Sequence, residues 1–230
     1  MKDLKVICLI PVWKRPNILN ICIENNRKFA NNNMIFVYIV SENDPFIEPI
    51  RKILNGEIIF YHKNRPLGAK MNAGIEAISK HFKYDYLMNL GSDDMIIDDI
   101  YKIYNPLMNI GLDLFGYNSC YVKKISTDMI YEMPNANPEH CIGAGRMIKK
   151  EIIENCGLKI YDDNFERGLD SNSMQIMKLY NPTLKPYILD GIAPIVDIKS
   201  EVNINTFEMV INWGRVREIE NTKYKFNNIP

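Results

Sequence analysis

Asp93 and Asp94 stand side by side at the end of an apolar run, Tyr86-Leu87-Met88-Asn89-Leu90-Gly91-Ser92-Asp93-Asp94. A run of that length reads as a buried strand, and ligands of open α/β sheets sit just beyond the carboxyl ends of the strands. Two adjacent carboxylates there are costly to hold unless a positive charge lies between or beside them. Their hard oxygens suit Mg2+ or Mn2+ carrying a phosphorylated ligand. Ser-Asp-Asp is also good turn and N-cap chemistry for a helix starting near Met95, so the pair alone leaves both readings open.

Three further segments carry side chains with chemistry to offer. Pro11-Val12-Trp13-Lys14-Arg15-Pro16 combines rigid backbone with two cations, or is simply a surface turn. Leu67-Gly68-Ala69-Lys70-Met71-Asn72-Ala73-Gly74 puts small residues and a lysine at a helix start. Free N–H groups and the helix dipole favour phosphate there, and Lys70 adds a charge. Phe165-Glu166-Arg167-Gly168-Leu169-Asp170 places acids at another helix start. Such an acid is a cap, or a general base for an acceptor hydroxyl if a crevice holds it.

The elements that position these segments alternate along the first half. Strands are expected over 5–12, 35–40, 57–61 and 86–90, with helices over 15–29, 45–54 and 96–107. Met71, Ile75, Ile78 and Phe82 recur at helical spacing and mark one more helix. Continuous apolar strands separated by helices predict a mostly parallel sheet covered on both faces. Right-handed crossovers then put the four segments 11–15, 41–44, 62–70 and 91–94 along one edge. The second half is less regular. Strands are expected over 112–122, 129–133 and 187–196, a loop over 133–145, a short helix marked by Ile148, Ile152 and Ile153, and a helix over 169–180. Phe207, Val210 and Trp213 suggest a docked C-terminal helix.

Composition narrows the class. The chain has 230 residues, 47% hydrophobic and 24% charged, ample for a sizeable core. A formal net charge of zero makes no general demand for nucleic acid or an anionic membrane. Five cysteines without a Cys-x-x-Cys pair predict reduced thiols and a cytoplasmic setting, the host's for a viral chain. His62, His81 and His140 show no mutual metal-ligand spacing, and no signal peptide or transmembrane segment is apparent.

Taken in order along one α/β chain, these segments resemble the GT-A fold glycosyltransferases, especially the family 2 type. The likeness is carried by the strand and turn Ile10 to Arg15, by Gly68, Asn72 and Gly74 at a helix start, and by Leu90-Gly91-Ser92-Asp93-Asp94. It continues through Gly143-Ala144-Gly145-Arg146-Met147-Ile148-Lys149-Lys150 to Glu166 or Asp170, over roughly residues 5–180. The resemblance implies one α/β domain with a nucleotide-sugar-binding half (1–110), an acceptor and catalytic half (111–200) and a docking segment (201–230). It departs from the family at Gly91, where an acid is usual, and at Ser41-Glu42-Asn43-Asp44.

The resemblance further implies roles. Pro11, Val12, Arg15 and Glu42 would border the base of a nucleotide-sugar donor, UDP-linked. Gly68, Lys70 and Asn72 would approach its ribose or diphosphate. Asp93 would contact ribose or metal, Asp94 would be the principal ligand of Mn2+ or Mg2+, and His140 or Asp197 are candidates for a third. Asp170, with Glu166 as substitute, would be the base of an inverting sugar transfer. The acceptor would be a cell-surface glycan or, as in some phage relatives, a hydroxymethylated pyrimidine in DNA. For DNA, Lys123, Lys124, Arg146, Lys149, Lys150, Arg215, Arg217, Lys223 and Lys225 could form a phosphate-binding surface, or merely solubilise helices. Nucleotidyl transfer and non-catalytic nucleotide-sugar binding on the same fold are the competing readings.

Overall fold

The computed structural model describes residues 2–125, 127, 129–200, 206–212, 214 and 216–219. Trp213, Arg215, Lys223 and Lys225 lie outside them. The first half runs β1 (Val6–Val12), α1 (Pro16–Asn26), β2 (Met34–Ser41), α2 (Ile47–Ile53), β3 (Ile58–His62), α3 (Leu67–His81), β4 (Tyr86–Asn89), β5 (Asp94–Ile96) and α4 (Ile100–Asn109). The second half runs β6 (Leu114–Tyr117), β7 (Ser119–Lys124), β8 (Ile130–Pro134), β9 (Met147–Lys149), α5 (Lys150–Asn155), α6 (Leu169–Tyr180), β10 (Tyr187–Leu189), β11 (Ala193–Lys199), α7 (Phe207–Asn212) and β12 (Arg217–Glu218).

Two sheets result. The larger has the order β10-β6-β9-β4-β1-β2-β3, and β9 alone runs against the other strands. Its core follows from strand alternation. Val6, Cys8 and Ile10 of β1 face one way, onto Leu19 and Ile23 of α1, Ile50 of α2 and Ile100 and Tyr104 of α4. Ile7 and Leu9 face the other, onto Met71, Ile75 and Ile78 of α3, Ile152 and Ile153 of α5 and Met174 and Met177 of α6. The smaller sheet, β12-β8-β7-β11-β5, packs Met95, Tyr121, Val196 and Ile198 against Ile18 and Cys22 of α1. Helix α1 is therefore held between the two sheets.

The expected helix over 96–107 starts later, at Ile100, with the Asp99 carboxylate accepting the Lys102 N–H. Residues 94–96 instead form β5, which pairs with β11. Buried Asn26 pins it: the Asn26 Nδ2 donates to the Asp94 carbonyl (3.1 Å) and its Oδ1 accepts the Ile96 N–H (2.8 Å). Helix α1 ends at Asn26, and residues 27–29 continue as a 3-10 turn. The expected strands over 112–122 and 187–196 each break into two, with halves in different sheets. Residues 147–149, expected to lead a helix, form β9 between β4 and β6. No described helix is long and apolar enough to cross a membrane, and all five cysteines are free and buried.

Replacing Asn26 by Leu leaves a buried carbonyl and a buried N–H without partners. The expected loss is about 3 kcal/mol, or about 10 °C in melting temperature for a chain of this size. Calorimetry of the variant checks this; an unchanged melting temperature would mean that β5 is held by its pairing with β11 alone.

Candidate metal and nucleotide site

Strand β1 leaves the sheet through Trp13, Lys14 and Arg15, and Pro16 starts α1. Lys14 and Arg15 both adopt left-handed backbone, φ 57° and 55°, at a cost of about 1–2 kcal/mol each. The Asp44 carboxylate, past the end of β2, accepts the Lys14 N–H and holds this turn. The result sends Arg15 across to the end of β4: its Nη1 lies 2.9 Å from Asp93 Oδ2 and its Nη2 3.2 Å from Ser92 Oγ.

The departure at Gly91 has a structural reason. Residues 91–94 form a turn in which the Gly91 N–H donates to Asp94 Oδ2, and a Cβ at Gly91 would stand 2.6 Å from Asp93 Oδ1. A side chain at that position would push both acids aside. Strand β5 then begins at Asp94, and antiparallel pairing sets Asp94 opposite Asp197 of β11. The Ile198 N–H donates to the Asp93 carbonyl at 2.8 Å, tying the acidic turn to β11.

One carboxylate oxygen from each of Asp93, Asp94 and Asp197 consequently lies within 4.8 Å of the others. Lys199, also buried, pairs with Asp197 Oδ2 at 2.5 Å. Asp197 Oδ1 is buried with no hydrogen-bond partner. Burial raises the Asp94 carboxyl well above the usual range, and the charges of Asp197 and Asp93 push it further. Burial also raises Asp197, against the pull of Lys199. Burial acts the same way on Asp93, but Arg15 and Lys199 outweigh it and hold that carboxyl low. An orphaned carboxylate oxygen beside an acid reluctant to ionise is what a hard divalent cation would relieve. The residues fit one.

This electrostatic state makes a pH prediction. Between the ordinary carboxylate value of about 4 and the raised values of Asp94 and Asp197, the folded chain binds more protons than the unfolded one. Stability without divalent ions therefore falls as pH rises through that window. Asp93, held low, contributes the opposite slope only below about 4. Saturating Mn2+ needs the ionised carboxylates, so it should flatten or reverse the fall. Denaturant titrations at several pH values, with and without Mn2+, check this; identical slopes would contradict it.

Beside the acids, the ends of β1, β2 and β3 enclose a cleft of about 520 Å³ lined by Trp13, Lys14, Glu42, Asn43, Lys63, Asn64 and Arg65. Glu42 stands on the wall of this cleft. Pro11 is partly buried and Val12 fully buried, just below. Trp13, Lys63, Asn64 and Arg65 belong to the segments 11–15 and 62–70 expected on this edge, although the sequence gives none of them an individual role. Lys70 turns inward: its Nζ donates to the Val12 carbonyl and to Ser41 Oγ, both at 2.7 Å. Burial lowers its ammonium to about 7. Asn72 is also buried, its Nδ2 donating to the Tyr161 carbonyl (2.7 Å) and to Asp163 Oδ1 (2.8 Å). The Gly68 N–H donates to the Phe165 carbonyl at 2.9 Å. Gly68 and Asn72 thus join α3 to the segment that leads into α6, whereas Lys70 ties it to the ends of β1 and β2.

Asp170 sits in the first turn of α6 with its side chain 58% exposed. Its carboxylate lies so close to Gly143 that no Cβ would fit there. The Gly145 N–H donates to the Asn89 carbonyl at the end of β4 (2.8 Å), so the Gly143–Arg146 segment joins Asp170 to the strand end that precedes the acidic turn. Arg146 is buried beneath: it donates to the carbonyls of Cys141, Ile142 and Asp170 and to Ser173 Oγ. Glu166 faces solvent and ion-pairs with Arg65 at 3.5 Å, on the cleft side. Asp197 thus joins the acid cluster. His140 does not; it lies in the loop before Cys141, where burial and the charges of Lys178 and Arg146 lower its pKa.

Among the described residues, those considered for DNA do not make one face. Arg146 and Lys123 are buried, and Lys124 pairs with Glu208. Lys149 is opposite Tyr86, at the far end of β4 from the acids, and pairs with Asp113 and Glu151. Lys150 pairs with Glu154.

The sequence matches no protein-family model and no curated protein. Solved structures do resemble it. A mannosyltransferase, PcManGT from Pyrobaculum calidifontis, in complex with GDP-Man and Mn2+, superposes with a TM-score of 0.63 at 8% identity, over 89% of this chain and 60% of that one. S. aureus TarS 1-349 in complex with UDP-GlcNAc gives 0.59 at 13% identity, over 87% of this chain and 60% of that one. The 4-diphosphocytidyl-2C-methyl-D-erythritol synthase of Anaerococcus prevotii gives 0.54 at 12% identity, over 91% and 94%. This chain therefore spans about three fifths of the PcManGT and TarS chains. Sheet order, acidic turn and superpositions together give it the GT-A-like fold of nucleotide-diphospho-sugar transferases.

Proposed function

We propose that this chain is a metal-dependent, inverting glycosyltransferase that moves a sugar from a UDP-linked donor to an acceptor hydroxyl. The observation that carries the reading is the convergence of Asp93, Asp94 and Asp197 at the carboxyl edge of the sheet, with one carboxylate oxygen buried and unpaired. Asp94 and Asp197, with Asp93, would hold Mn2+ or Mg2+, which when bound supplies positive charge for the leaving diphosphate. Arg15 keeps Asp93 ionised and the turn in place. Trp13, Glu42 and Asn43 offer the base one aromatic and two polar contacts. Lys70 supports the cleft from below through its bonds to Val12 and Ser41, and Asn72 fixes the segment that leads into α6. Asp170, exposed enough to meet an acceptor, takes the proton from the incoming hydroxyl; Glu166, paired with Arg65, is its substitute. The acceptor is a glycan, or a hydroxymethylated pyrimidine in DNA, although the described basic residues are dispersed.

A second reading, nucleotidyl transfer, is favoured by the likeness to the erythritol synthase over nearly its whole length. Against it stands the three-residue connection between β1 and α1, where a long Gly-rich loop would be expected. A thermal-shift panel of nucleotides and nucleotide-sugars, with and without Mn2+, tests the assignment. At about 100 times Kd the correct donor contributes about 2.7 kcal/mol, a rise of about 5–10 °C, and only with the metal. Stabilisation by CTP but by no nucleotide-sugar would favour the second reading, and no response to any of them would refute both.

A further inference from the structure

This inference concerns the acid cluster again and rests on reading it as a divalent-cation site. Strand β11 ends in Asp197-Ile198-Lys199, and strand alternation puts Asp197 and Lys199 on one face. The Lys199 side chain is only 7% exposed, its ammonium sits on the Asp197 carboxylate, and its charge also acts on Asp93 and Asp94. Lysine is almost never buried to that degree unless paired. The cluster's two cations differ in how they are held. Arg15 is planar and gripped at two nitrogens by Asp93 and Ser92. Lys199 is a compact charge on a flexible four-carbon stem, bonded to one oxygen of Asp197 while the other stays unpaired. With all three carboxylates ionised, as a bound cation requires, the two described cations leave one negative charge in excess. A divalent ion entering beside Lys199 would meet its repulsion at close range. The ion and the ammonium compete for the same carboxylates.

We propose that Lys199 is a tethered cation that neutralises the acid cluster until a divalent ion displaces it, and that the displaced ammonium then pairs with the donor's diphosphate. The exchange keeps the acids compensated in both states. It also ties the position of a diphosphate-binding charge to the presence of the metal.

The test is calorimetric titration of the full chain with Mn2+ alone, and then with UDP at saturating Mn2+. In Lys199→Met the first affinity should rise about tenfold or more as the competing charge is removed, and the second should fall about tenfold as one diphosphate contact is lost. Lys199→Arg, which keeps the charge, should not tighten Mn2+. Lys199→Gln serves if the Met variant does not fold. Loss of packing alone would move both affinities the same way. A wild-type readout needs no substitution: the Lys199 side-chain ammonium resonance should lose its solvent protection as Mg2+ saturates the protein. If wild type binds Mn2+ but Lys199→Met binds it no tighter, or binds UDP unchanged, or if the resonance stays protected, the exchange is wrong and the metal site stands. If wild type binds no divalent ion, the metal site itself fails and takes the exchange with it.

Discussion

Asp94→Asn should abolish Mn2+-dependent binding of UDP and lower sugar transfer by about 10³-fold, the equivalent of about 4 kcal/mol of charge stabilisation on the departing diphosphate. The variant is nearly isosteric, and the amide can still accept the Gly91 N–H that Asp94 Oδ2 now accepts. It also removes a carboxyl whose ionisation burial and its acidic neighbours oppose. Folding stability without metal should therefore hold or rise while function collapses. That opposition separates a ligand from a scaffold residue: a structural acid would lose stability and activity together. Equal transfer by wild type and variant would remove Asp94 from the mechanism.

Asp170→Asn should leave Mn2+ and UDP binding within about twofold and lower transfer by about 10²–10⁴-fold, the usual contribution of a positioned general base. The separation is expected because Asp170 belongs to α6 and the Gly143 segment, whereas the acid cluster belongs to β4, β5 and β11. Arg146, directly beneath, keeps its bond to the Asp170 carbonyl and its bonds to Cys141, Ile142 and Ser173, and loses only a 3.9 Å ion pair with an exposed carboxylate. A failure to fold would thus not be the expected outcome. If Asp170→Asn transfers normally and Glu166→Gln does not, the base is Glu166. If both transfer normally, proton removal is done by another group.

Much of this architecture could be read from the chain. Apolar runs interrupted by helical periodicity predict parallel β1 to β4, and crossover handedness then puts segments 11–15, 41–44, 62–70 and 91–94 on one edge, where Arg15, Glu42, Lys63 to Arg65 and Asp93 are found. The helix over 169–180 has the expected bounds. Short strands were illegible because three residues have no period: β5 and β9 exist only through their partners. For the same reason Asp197 was one candidate among two. Its place opposite Asp94 depends on an antiparallel pairing between distant segments, and nothing local announces it. Lys70 shows a signal that was present and outweighed. It lies four residues before Gly74 and eight before Ile78, on the stripe that packs against the sheet, so helical phase points its side chain inward. The small-residue helix start suggested phosphate instead. Gly91 is the reverse case, a departure from the family pattern that the close approach of Asp93 and Asp94 explains.

Crystals grown with MnCl2 and UDP and measured near the manganese absorption edge put the question to Asp93, Asp94 and Asp197 without passing through activity. One strong anomalous peak within bonding distance of Asp94 and Asp197 oxygens, with the diphosphate on its open side, is the expected map. Ordered UDP with no manganese at those carboxylates, or with Lys199 still seated on Asp197, would contradict the ion-bridged donor on which the proposed chemistry depends.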